Sequence, residues 1–220
     1  MKTLPLFVSL LGLLACGRDA ADEESGRPVP AATALYRVTF EATWSPATHP
    51  GSYPAGAHFS PLMGASHHAM DAARLFRAGA LASKGIKDMA EIGNNTALRT
   101  EINALIQQGH AFRLLDGRRA TASPGTLTDT IRLSRDHPAL SVVTMVAPSP
   151  DWFAALDAEV LLSAEGWAPT RRVPALFYDA GTDSGPDYAS PDQPTTPAVP
   201  VRAAMPGAAP FGYFVLELVK

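Results

Sequence analysis

Between Leu35 and Trp44 apolar and polar side chains alternate (LYRVTFEATW), placing Tyr36, Val38 and Phe40 on one face and Arg37, Thr39 and Glu41 on the other. A period of two predicts a strand with one buried face. The same character returns in the second half of the chain. Thr128 to Leu133 and Leu140 to Ala147 (LSVVTMVA) are rich in β-formers, and Asp136-His137-Pro138 between them is a turn signal, so a hairpin is expected. Further strands are expected over Phe153 to Leu162, Val173 to Phe177 and Tyr213 to Val219. Helical spacing is confined to the middle. Asp71 to Arg77 suits one or two helical turns. Met89, Ile92, Leu98, Ile102, Leu105 and Ile106 recur at helical intervals, broken by Gly93-Asn94-Asn95. That predicts a short helix, a turn, and a second helix from Thr96 to Gln108 closed by Gly109. Ser45 to Ala57, with three prolines and two glycines, and the proline-rich Ser184 to Pro210 are expected to be loops. Six to eight short strands separated by turn signals predict a mainly β chain, an antiparallel β-sandwich with short helical insertions.

The first residues depart from this pattern. Met1-Lys2 and the apolar run Leu4 to Leu14 have the length of a signal-peptide core, too short to span a bilayer as a helix. The run ends in Leu13-Leu14-Ala15-Cys16, similar to a bacterial lipobox, and Cys16 is the chain's one cysteine. That similarity implies cleavage after residue 15 and lipid on Cys16. Gly17 to Thr33 is acidic, then rich in Pro and Ala, without an apolar face, and is expected to be a tether. The expected division is therefore a signal peptide over 1–15, lipidated cysteine and tether over 16–34, and one folded domain over 35–220. Gly17 in place of the aspartate that marks inner-membrane retention favours the outer membrane. The composition changes little in this picture. A net charge of -3 from 18 basic and 21 acidic residues supplies no basic field for a phosphate backbone, so nucleic acid is not an expected partner.

Candidate chemistry concentrates in two acidic segments, PSPDWF (Pro148 to Phe153) and DAGTDSG (Asp179 to Gly185). Asp151 and Asp179 each follow an apolar strand, and Asp183 lies four residues after Asp179 across Ala180-Gly181-Thr182. Carboxylates converging from bendable loops suit a hard cation, and three clustered like charges call for a counter-ion. Aspartates in turns also simply cap backbone N–H groups. On residue chemistry alone both uses stand.

Five ordered pieces extend the argument: YRVTFEATW (Tyr36 to Trp44) with His49-Pro50; HFSPLMGASHH (His58 to His68); ASKGIKDMAEIGN (Ala82 to Asn94); APSPDWF (Ala147 to Phe153); and DAGTDSG followed by SPDQPT (Ser190 to Thr195). In this order they resemble the spondin domain family of F-spondin and mindin type, over Leu35 to Lys220. The resemblance implies an eight-stranded, C2-like antiparallel sandwich with a cation near one end, held by Asp151, Asp179 and Asp183. Calcium suits a flexible all-oxygen site better than magnesium, which stays possible. The resemblance also implies roles in adhesion and ligand binding, with a protein or glycan of the envelope or extracellular space as partner, while the lipobox similarity implies engagement of the membrane through lipid on Cys16.

Other residues carry weaker signals. His49, His58, His67 and His68 lack a zinc-site spacing; His58 is expected to pack or hydrogen-bond, and His67 and His68 to be partly exposed. Ser66 lacks a nucleophile-elbow context. Trp44, Trp152 and Trp167 are expected mainly as core residues, although Trp152, beside Asp151, is a possible ligand contact. Glu91 is expected to cap or face solvent. The expectation is a non-enzymatic calcium-binding module on a lipid-anchored envelope protein. Two alternatives would use the same acidic cluster: a calcium-dependent hydrolase with Asp151 or Asp183 as base, or a carbohydrate-binding module pairing Trp152 with the ion.

Overall fold

The computed structural model describes residues 29–51, 53–204 and 209–220. The expected signal peptide, Cys16 and most of the tether lie outside the described residues. In chain order the elements are β1 (Thr33–Ala42), β2 (His58–Phe59), β3 (Met63–His67), α1 (Lys84–Ile92), α2 (Thr96–Gln107), β4 (Ala111–Asp116), β5 (Thr121–Ala122), β6 (Gly125–Ser134), β7 (Ala139–Ala147) and β8 (Trp152–Val160). They continue as β9 (Leu162–Ser163), β10 (Gly166–Trp167), β11 (Thr170–Pro174), β12 (Leu176–Asp179), β13 (Arg202–Ala203) and β14 (Gly212–Leu218). Only one 3-10 turn, Asp71–Ala73, forms where one or two helical turns were expected.

The alternation in β1 is realised as read: Tyr36, Val38 and Phe40 are buried while Arg37 is exposed. β1 pairs antiparallel with β14 (Phe40 opposite Phe214) and with β6 (Phe40 opposite Leu127), and β11 joins the far side of β14. The second sheet runs β13-β12-β8-β7-β2-β5, with β3 also paired to β7 and β4 paired to β3. All these pairings are antiparallel. The mainly β sandwich is therefore the observed architecture. The resemblance implies eight strands; among the described residues nine segments of four or more residues build it, supplemented by two-residue strands, of which β9 and β10 pair with each other apart from the two main sheets.

Two cores explain the layering. Between the sheets lie Tyr36, Phe40, Trp44, Phe59, Phe211 and Phe214, with Trp44 stacked on Phe211 at 4.8 Å between ring centres. Each such side chain contributes about 1.5–3 kcal/mol on burial. On the other face of the second sheet, Met63, Val143 and Phe153 meet Ile86, Met89, Leu98 and Ile102 from the helices. β7 and β8 therefore bury both faces: in β8, Trp152 and Ala154 point into the inter-sheet core and Phe153 and Ala155 into the helical one. The first helix starts where the chain can cap it. Ser83 Oγ accepts the Ile86 N–H at 3.1 Å, and α1 stops at Gly93 in the left-handed region (φ +66°).

The strand expected over Val173 to Phe177 is instead two strands in different sheets. Pro174 has no N–H to continue pairing, Ala175 donates to Gly212 O at 2.9 Å, and β12 then crosses to the partner sheet beside β8. That crossing delivers Asp179 to the end of the sandwich where Asp151 lies.

Candidate cation site

β7 ends at Ala147, and Ser149 closes the following turn: its Oγ donates to Val146 O and accepts the Trp152 N–H at 3.1 Å. Asp151 is thus fixed immediately before β8. Because β12 runs antiparallel to β8 with Asp179 opposite Trp152, the last residue of β12 arrives beside Asp151. The Ala180 N–H then donates to Asp151 O at 3.2 Å. Gly181 turns the chain with φ +76°, and a Cβ there would stand 2.1 Å from Val199 O, so the position requires glycine. This turn aims the N–H groups of Thr182 (2.7 Å) and Asp183 (3.1 Å) at Asp151 Oδ2, joined by Thr182 Oγ1 at 3.3 Å. The two acidic segments expected to meet do meet.

The three carboxylates are partnered unequally. Asp151 is 0% exposed; its Oδ2 accepts those donors, while its Oδ1 is buried without a hydrogen-bond partner. Burial pushes its carboxyl above the usual range, the N–H donors pull it back, and the neighbouring Asp179 charge pushes it up again. Asp179 Oδ1 accepts the Gly181 N–H at 2.8 Å, and its Oδ2 takes both Nε (3.2 Å) and Nη2 (2.8 Å) of Arg202. Asp183 accepts Gly185 N–H on Oδ1 (2.7 Å) and Gln193 N–H on Oδ2 (2.9 Å). A fourth carboxyl, Asp192, stands against Asp183 and is held above its usual range by it. Among the described residues no three His, Cys, Asp or Glu side chains surround one point.

The donor set fits a hard cation in one specific respect. A buried carboxylate oxygen without a donor bears desolvated negative charge, costly unless a cation or proton meets it. Asp151 Oδ1 is such an atom, and the charge of the neighbouring Asp179 carboxylate acts on the same group.

The remaining candidates are placed apart from this chemistry. Trp152 is 6% exposed, enclosed edge-on by Phe177 and Tyr188, so the ring offers almost no surface to a ligand. Trp44 is core, and Trp167 packs on Tyr36 while its Nε1 donates to Ala31 O. His49 is buried against Phe211, and His58 Nδ1 bonds Gly56 O. His67, expected to be partly exposed, is fully buried and bonded to Ser141; His68 stacks on His137 at 4.1 Å. The two adjacent rings thus engage different partners. Ser66 Oγ donates to Arg132 O and accepts the Arg113 N–H. Glu91 pairs with Lys87. Arg202 was missed at the level of sequence: it lies 23 residues from Asp179 in a segment expected to be loop, and no local pattern marks it.

Comparison with known proteins gives the geometry its context. The sequence profile of the family described as Spondin_N matches residues 34–210. Spondin-1 of Bos taurus is 37% identical over 182 residues, covering 77% of this chain and 22% of that protein, and Spondin-1 of Homo sapiens matches equally. Spondin-2 of Homo sapiens is 33% identical over 193 residues, covering 84% of this chain and 57% of its own length. This chain thus spans only a part of these relatives. With a profile match from β1 to the residues preceding β14, and these identities on a sandwich of matching class, the chain belongs to the spondin N-terminal domain family.

Proposed function

We propose that this protein is a non-enzymatic, calcium-binding spondin module that presents a binding surface to a protein or glycan at the cell envelope. Asp151, Asp179 and Asp183 would hold the ion, which would add to the one positive charge that Arg202 brings to Asp179. The observation that carries this reading is the buried, donorless Oδ1 of Asp151. Calcium is preferred to magnesium because the oxygens come from two flexible turns, which suit a larger and less exacting ion. The ion's role is to fix the turns following β7 and β12.

Ligand binding of this kind stabilises by mass action, about 2.7 kcal/mol at a hundredfold excess over Kd. For a domain of this size that is on the order of 5–10 °C in Tm. Calcium should therefore raise the Tm of the wild type relative to EDTA, whereas Asp151→Asn should be nearly unchanged between the two conditions. A wild-type Tm indifferent to millimolar calcium would refute the reading.

The same proposal places the module on a membrane through lipid at Cys16, with export directed by the preceding apolar run. Among the described residues no helix is long and apolar enough to cross a membrane. Expressed in a bacterium, the wild type should partition with detergent-extracted membranes and incorporate labelled palmitate. Cys16→Ser should lose the label; retention of it by the variant would exclude lipidation at this residue.

A further inference from the structure

We infer that Arg202 is a built-in counter-cation that competes with the divalent ion for Asp179 and thereby sets how tightly the ion is held. The inference rests on the cation-binding reading above and adds its regulation. Arg202 comes from β13, a two-residue strand placed directly against β12 with Arg202 opposite Asp179. Its Nε and Nη2 both converge on Oδ2 of Asp179, at 3.2 and 2.8 Å. A residue that merely orients a ligand would donate to one oxygen along one lone pair and leave the rest to the metal. Here two donors occupy the same oxygen, while the Gly181 N–H takes the other at 2.8 Å. A cation recruiting Asp179 must draw on oxygens that these groups already use.

The balance of charge gives the competition its direction. Asp151, Asp179, Asp183 and Asp192 lie together, and among the described residues Arg202 is the basic side chain that forms an ion pair with any of them. A guanidinium stays charged at every accessible pH, so only displacement or repulsion changes its effect. Displacement is easy: the side chain of Arg202 is 62% exposed, that of Asp179 10%, so the arginine can swing into water on its long stem while the carboxylate stays. A divalent ion outbids one positive charge for the carboxylate, but a nearby guanidinium reduces the net attraction. The β12–β13 backbone pairing keeps Arg202 close even when its head group lets go. The result is a site of deliberately moderated affinity.

Calorimetric titration of calcium into wild type, Arg202→Gln, Arg202→Lys and Asp151→Asn tests this. Arg202→Gln should bind calcium about three- to tenfold more tightly, and Arg202→Lys, which keeps the charge but loses the fork, should stay within about twofold of wild type. In EDTA the glutamine variant should melt below wild type, and saturating calcium should close that gap. Unchanged or weaker calcium binding in Arg202→Gln, with wild type binding and Asp151→Asn not, would overturn the competition and leave the cation site standing. Absence of calcium binding in wild type and Arg202→Gln alike, with both folded by circular dichroism, would remove the cation reading and this inference with it.

Discussion

His67 shows how one side chain carries a pH dependence into the fold. It ends β3, fully buried, and sits in a short relay: the Ala158 N–H donates to Ser141 Oγ at 3.0 Å, and Ser141 lies 2.8 Å from His67 Nε2. With Ser141 accepting from Ala158, its hydroxyl proton goes to Nε2, which leaves the ring proton on Nδ1 to bond His68 O at 2.6 Å. Burial lowers the pKa of His67, partly offset by the bond to His68 O, and the charges of Arg74, His137 and His68 lower it further. The folded chain therefore resists a proton that the unfolded chain accepts near the ordinary histidine value of about 6.5. Its contribution to stability is complete above that value and is lost as pH falls from there toward the lowered folded pKa, at up to about 1.4 kcal/mol per pH unit. Urea unfolding at pH 7.5 and 5.5 should show this loss in the wild type. His67→Gln, which can accept from Ser141 and donate to His68 O, should begin about 1–3 kcal/mol less stable at pH 7.5 but decline less. Parallel declines in the two proteins would assign the pH dependence to other groups.

At the scale of elements, legibility in the sequence followed the number of covered faces. β1 was readable because one face meets the core and the other water, so a period of two survives in the residue types. The helices α1 and α2 were readable for the same reason at a period of 3.6, and the glycine at residue 93 marked the break between them. β3 was not readable: Met63, Gly64, Ala65, Ser66 and His67 are all buried, pressed between β4 and β7 and covered on both faces, so no alternation is left. At Gly64 a Cβ would stand 2.4 Å from Ser141 O, a demand set entirely by a strand far along the chain. The site divides likewise. Asp151, Asp179 and Asp183 stand in compact motifs, and their neighbourhood was legible from the strands that precede them. Their unequal partnering was not, since it depends on Val199 forcing glycine at 181, on Gln193 reaching Asp183 and on Arg202 reaching Asp179. Those partners come from a proline-rich segment whose local pattern signals only loop.

For the whole molecule, that segment is the link between the acidic end and both cores. Thr195 N–H donates to Thr182 O and Val199 N–H to Gly181 O, each at 2.9 Å, while Val201 exchanges bonds with the loop before α1: its N–H donates to Ala80 O and its carbonyl accepts from Gly79 N–H, both at 2.8 Å. Val201 itself is buried in the core beneath the helices. The turn from Asp179 to Asp183 therefore holds residues 193–201 in place, and those residues in turn brace the loop that leads to α1. β1, β6 and β14 form the opposite sheet, held by long antiparallel ladders and a core of aromatic rings that the acidic end borders at Trp152 and Tyr188. Local opening free energies follow local contacts, so loss of the ion should lower protection regionally, leaving the rest of the fold intact. Hydrogen exchange followed by mass spectrometry, in calcium and in EDTA, should show faster exchange in EDTA for residues 180–201 and a smaller rise over 79–86. Peptides covering β1 and β14 should exchange alike in both. Equal acceleration in β1 and β14 would mean that the ion stabilises the sandwich as one unit, and would displace the view of it as a clasp on the segment that carries Arg202.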